Sequence, residues 1–228
     1  MRDERHLVDR RTAIVSGGAA VAVLLAACGA GSGASGGAID LTFTKDGRLT
    51  GTVGGQAVNV KGVLPARAGT VAGTMAGEPV DASWAIADEN ASGPATAPVK
   101  LDGRFAGQSV SLLATLRLLP DLLFDSGSVS GTAGGRPVRA EATHASGASS
   151  SSVTVDGSFA GTSFSLYGTI ASDLSSGLVR GTVGSKAIEL TARVHAGAVR
   201  LTGDYEGPTT LFVLTAGTLI YFLGGIYA

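Results

Sequence analysis

The chain has 228 residues, 44% hydrophobic and 15% charged, with 17 basic and 18 acidic side chains and 35 glycines. That is too apolar for a disordered chain, too interrupted by glycine for a helical bundle, and too evenly charged to present the positive field that nucleic acid requires. One cysteine allows no internal disulfide, and three histidines leave little material for a metal site.

The first segment carries Arg2, Arg5, Arg10 and Arg11, then an almost wholly apolar or small run over 13–26, then Leu25-Ala26-Ala27-Cys28. The order charged, apolar, small, cysteine is that of a secretory signal peptide. The apolar run of about 14 residues is shorter than the roughly 20 that a membrane span needs. Leu25-Ala26-Ala27-Cys28 resembles the lipobox of bacterial lipoproteins. That resemblance implies cleavage after residue 27 and diacylation of the Cys28 thiol with chains such as palmitate. It places the protein outside the cell, held by lipid to the membrane or cell envelope. Asp9-Arg10-Arg11-Thr12-Ala13-Ile14 resembles the twin-arginine export motif, departing from it at Asp9, at Ala13 and in lacking a following lysine. It implies export of an already folded protein on the strength of Arg10 and Arg11, with the general secretory route as the alternative.

Three sections follow: a signal at 1–27, a lipidated cysteine with a Gly/Ser tether at 28–38, and a single β-repeat domain at 39–228. The tether carries no side chain able to bury much surface. In the domain a unit recurs seven times: Gly, two residues later an apolar side chain, and a small turn residue four after the first Gly. The copies begin at Gly51, Gly73, Gly103, Gly131, Gly157, Gly181 and Gly203. The flanking period is two, as in a half-buried strand: Leu101, Gly103 and Phe105 share one face, Asp102 and Arg104 the other.

A type II′ turn at Gly107-Gln108 would set Phe105 opposite Val110 and Gly103 opposite Leu112. The same register puts Val53 against Val58, Met75 against Val80, Phe159 against Phe164, and Val183 against Ile188 across Ser185-Lys186. Each first glycine then faces a larger residue (Val60, Leu112, Leu166, Leu190 or Phe212) and leaves room for it. A three-residue turn at 45–47 pairs Phe43 with Leu49, and Ala196-Gly197 pairs Val194 with Val199. The other face, including Thr52, Asn59, Lys61, Arg139, Glu141, Glu189 and Arg193, is polar, unlike the outward band of a membrane-spanning barrel. The fold class is therefore all-β: 14 to 16 antiparallel up-and-down strands in a barrel-like or sandwich meander, with a small propeller as the alternative.

The stretch 208–228 has no charge. Thr209 to Ala216 aligns with the return strands, which favours a closing strand pair, while the length would also suit a membrane helix.

Chemistry is thinly signalled. His144 precedes a serine-rich loop, but no Gly-x-Ser-x-Gly elbow accompanies it, and His195 falls on the polar parity beside a turn. Asp102 and Asp156 occupy equivalent repeat positions, each alone in its strand, too sparse for a calcium site. The glycine-rich turns join strand to strand and lack the helix N-terminus that binds phosphate. No catalytic, cofactor-binding or metal site is assigned, and no cofactor is implied. Phe105, Phe159, Phe164, Tyr205 and Phe212 share the inward face, as core or as the lining of an apolar ligand cavity. Trp84 is inward, opposite Val71. Three readings follow: a non-enzymatic, lipid-anchored envelope protein that binds an envelope partner or has a structural role; a carrier or sensor of a lipid or glycolipid; and an exported hydrolase.

Overall fold

The computed structural model describes residues 37–44, 46–63, 68–86, 96–105, 107–118, 124–146, 150–171, 175–196 and 198–205. The signal with Arg10 and Arg11, Cys28, Phe212 and the stretch 208–228 lie outside them. Alternation of apolar and polar residues makes fourteen strands: β1 (Gly37–Thr44), β2 (Arg48–Val53), β3 (Gln56–Val63), β4 (Ala68–Met75), β5 (Glu78–Ile86), β6 (Thr96–Phe105), β7 (Gln108–Leu118), β8 (Phe124–Ala133), β9 (Arg136–Ser146), β10 (Ser150–Phe159), β11 (Thr162–Ala171), β12 (Ser176–Val183), β13 (Lys186–His195) and β14 (Ala198–Tyr205). Each pairs antiparallel with its neighbours in sequence, and β14 pairs with β1 to close a barrel. The fold is thus one closed up-and-down barrel, neither a two-layer sandwich nor a propeller.

Following the register once around the wall returns to β1 displaced by 14 residues. Shear equals strand number, as in the eight-stranded barrels whose strands tilt by about 36°. An advance of one residue per strand has a consequence for the repeat. The seven first glycines, one on every second strand, fall at a single height and make a ring.

The register departs from the sequence expectation by two residues. Val53 pairs with Gln56, Met75 with Glu78, Phe105 with Gln108, Phe159 with Thr162 and Val183 with Lys186. The turns are one residue earlier than expected, at Gly54-Gly55, Ala76-Gly77, Gly134-Gly135, Ala160-Gly161 and Gly184-Ser185, and β7 likewise begins at Gln108. Both central residues have positive φ at Gly54 (56°) and Gly55 (77°), Ala76 (53°) and Gly77 (81°), and Ala160 (50°) and Gly161 (85°). That is the sign pattern of the type I′ turn, whose twist matches the flanking strands better than an ordinary turn does. A slip of two keeps every side chain on its face, so the inward set is unchanged while its partners move. Gly73, Gly131, Gly181 and Gly203 take Val60, Leu112, Leu166 and Leu190 as neighbours on the preceding strand. Trp84 stands opposite Gly69 rather than Val71. The turns at 45–47 and 196–197 pair Phe43 with Leu49 and Val194 with Val199, as expected.

Ala76 and Ala160 hold a conformation that costs an L-residue about 1–2 kcal/mol. Ala160→Gly is expected to raise the unfolding free energy by about 0.5–1 kcal/mol, less than the full strain because glycine also gains freedom when unfolded. Urea melts of the two proteins check this.

Among the described residues, thirty buried apolar side chains form a single cluster on the inward face, none more than 7% exposed. Next to the tight turns lies a layer of Val53, Met75, Phe105, Ala133, Phe159 and Val183, between 0% and 4% exposed. Outward residues such as Thr52, Asn59, Lys61, Arg139, Glu141 and Glu189 are exposed, giving the wall the polar surface that the alternation implies.

Candidate functional site

The two ends of the barrel are built differently. At one rim sit the six two-residue turns, the start of β1 and the end of β14. Each of these turns also leans on the adjoining strand pair: Gly54 N–H donates to Ala38 O at 3.0 Å, Ala76 to Ala57 at 2.8 Å, Gly107 to Pro79 at 3.4 Å, Gly134 to Ser109 at 2.8 Å, Ala160 to Pro137 at 3.0 Å and Gly184 to Ser163 at 2.7 Å. These bonds satisfy turn amides and tie neighbouring hairpins together. At the opposite rim the connections run from two to nine residues, the longest joining β5 to β6 over 87–95. Variable loops on a rigid frame are where binding surfaces are usually placed.

Among the described residues, the half-buried apolar positions of the inward face lie toward the loop rim, beside buried Leu49, Val153 and Val199. Phe43, Ala142, His144 and Val194 are half-buried inward positions, all within four residues of a loop-rim strand end, and Val129 adds one further in along β8. Small residues line part of the wall there, with Gly127 and Val129 on β8 paired with Ala142 and Ala140 on β9. His144 continues the inward parity of Val138, Ala140 and Ala142 and stands opposite the buried Val153. Counting in twos from Val138 would have placed it inside from sequence alone. His195 is exposed at the end of β13, on the polar parity as expected.

Asp102 and Asp156 face outward on β6 and β10, four strands apart, so the structure brings neither to the other nor to the face that His144 occupies. Asp102 accepts a hydrogen bond from Ser111 Oγ at 2.7 Å and pairs with Lys100 Nζ at 2.9 Å. Chiefly that hydroxyl, and then the lysine, hold its carboxyl below the usual range. Among the described residues no group of three or more His, Cys, Asp or Glu is placed to hold a metal ion.

Phe105, Phe159 and Phe164 lie in the core at 0%, 4% and 4% exposure. Phe164 pairs with Gly157, and a Cβ built on that glycine would stand 2.4 Å from Phe164 Cζ, so the glycine makes room for the ring. Tyr205 closes β14 opposite Gly37 and Ile188. An apolar ligand could reach the three phenylalanine rings only if the cluster parted. A more open depression of about 850 Å³ lies across β12, β13 and β14, where Arg180, Glu189, Thr191 and Asp204 surround the gap left by Gly181 and Gly203. Arg180 Nε bonds Glu189 Oε2 at 3.0 Å within it.

The seam between β1 and β14 carries a bidentate ion pair. Arg200 Nε and Nη2 donate to Asp40 Oδ1 and Oδ2 at 2.9 and 2.7 Å. The arginine's hydrogen bonds, aided by its charge, hold the Asp40 carboxyl below its ordinary value. A carboxylate depressed in the folded state contributes stability above its unfolded pKa and loses it as pH falls through the folded value. Urea midpoints of the wild type and Asp40→Asn should therefore differ at neutral pH and converge in acid. The gap will be small because the pair is open to solvent.

No protein family, characterised protein or solved structure matches this chain. Its function is therefore argued from the barrel's own geometry.

Proposed function

We propose that the protein is a lipid-anchored β-barrel of the bacterial cell envelope, without enzymatic activity, that presents its loop rim to an envelope partner. The supporting observation is the placement of the chain's entry. The lipobox cysteine and its tether lead directly into β1, and β1 begins at the rim of short, mutually hydrogen-bonded turns. A barrel tethered there carries its variable connections on the far side. The polar wall suits a body standing in water, and His144 with its half-buried neighbours lies at the exposed end, where a partner would meet it.

Two measurements test this reading. Cells fed an alkyne analogue of palmitate should label the wild-type chain and not Cys28→Ser; an unlabelled wild type would overturn the anchor. Photo-crosslinking side chains at Asp46, Ser175 and His195 on the loop rim should trap an envelope protein that the same groups at Gly55, Gly135 and Ser185 on the turn rim do not. Equal trapping at both rims would remove the directional part of the proposal.

A further inference from the structure

The uncharged stretch 208–228 is 21 residues long, and as a helix it would measure about 31 Å, the thickness of the hydrocarbon core. Among the described residues the sheet offers a further return strand no free edge. One edge of β14 is held by β13 and the other by β1, over eight residues each, and the closed barrel leaves no strand with a vacant edge. Adding a strand would mean breaking the whole β1–β14 seam, including the Asp40–Arg200 pair. Nor does the outer wall offer an apolar resting place: among the described residues its large exposed hydrophobics are Leu113 and Tyr167, on β7 and β11.

The exit point is equally informative. Tyr205, the last residue of β14, pairs with Gly37, the first of β1. The stretch 208–228 and the tether from Cys28 therefore leave the same rim from adjacent strands. Eight residues separate Cys28 from Gly37, so an extended tether reaches about 30 Å at most. A bilayer that holds the lipid is within reach of residue 208.

We infer that residues 208–228 insert into the bilayer beside the Cys28 lipid, a second attachment that keeps the turn rim against the membrane and the loop rim away from it. A lipid on a glycine-rich tether alone leaves the barrel free to turn over; two attachments on adjacent strands restrain it. The shared bilayer rests on the proposed lipid anchor, whereas the insertion itself does not.

Four full-length chains separate the two: wild type, Cys28→Ser, Leu214→Asp with Ile220→Asp, and the combination of all three changes. Salt-washed membranes are assayed for bound chain, and limited proteolysis reports on the barrel. Cys28→Ser should remain bound through 208–228, and the two-aspartate chain through its lipid. The combined variant should lose more than about tenfold of its bound fraction, since a charge near the centre of a span strongly disfavours insertion. Release of Cys28→Ser by itself would overturn the insertion and leave the lipid anchor standing. Release of the two-aspartate chain would instead overturn the lipid anchor. Equal retention of the combined variant and Cys28→Ser would show that 208–228 does not hold the membrane. Loss of the protease-resistant barrel in the two-aspartate chain would place the stretch inside the barrel and also overturn the inference.

Discussion

Replacing Gly51 by valine is expected to prevent the barrel from forming, or to lower its stability by about 3 kcal/mol or more. Two independent obstacles meet at this position. Its φ of 137° lies in a region that L side chains rarely occupy. A Cβ there would stand well inside contact distance of the Asp40 carbonyl oxygen and 2.9 Å from Leu41 Cα. Both neighbours are backbone of β1, so no rotamer change relieves the overlap and the pairing of β1 with β2 must yield. Because β1 is also the strand that closes the barrel on β14, the damage reaches the seam. Circular dichroism and urea titration, with the exposed neighbour Thr52→Ala as control, check this. A Gly51→Val chain with the wild-type midpoint would mean that the ring of glycines is not a packing requirement.

The same ring explains what could and could not be read from sequence. Glycine at every first position and apolar residues two apart announced a hairpin repeat, because both features are local. The pairing was off by two, since a slip of one whole side-chain period leaves every residue on its correct face and the hydrophobic pattern cannot register it. Only the turn chemistry distinguishes the alternatives, and Ala76 and Ala160, alanines at positive φ, disguise it. Closure was less legible still. It depends on the sum of thirteen small displacements and on the meeting of Gly37 with Tyr205, for which no neighbouring residues carry a signal.

The candidate site was legible in a different measure. The inward direction of His144 follows from its spacing to Val138, but what the loop rim recognises depends on connections free of the repeat. Phe105, Phe159 and Phe164 illustrate the ambiguity of an apolar pattern. Core packing and cavity lining ask for the same residues in the same periodicity, and only their burial of 0%, 4% and 4% shows them packed.

That packing gives Phe105→Ala the second large expected effect. The ring is 0% exposed at the end of β6, in the layer that seals the barrel next to the turns. Truncation removes its burial and leaves a void that a closed wall cannot collapse to fill, since each strand is pinned by two neighbours. The expected loss is about 3–5 kcal/mol, against a change within about 0.5 kcal/mol for Tyr167→Ala on the outer wall, where the ring is 50% exposed. Urea midpoints measure both. If Phe105 instead lined a vacant ligand chamber, truncation would enlarge a space already open, and the loss would fall toward the transfer energy of the ring alone. A loss below about 2 kcal/mol with an unchanged denaturant slope would return the interior to consideration as a binding site, whereas the larger value confines recognition to the rims and the outer wall.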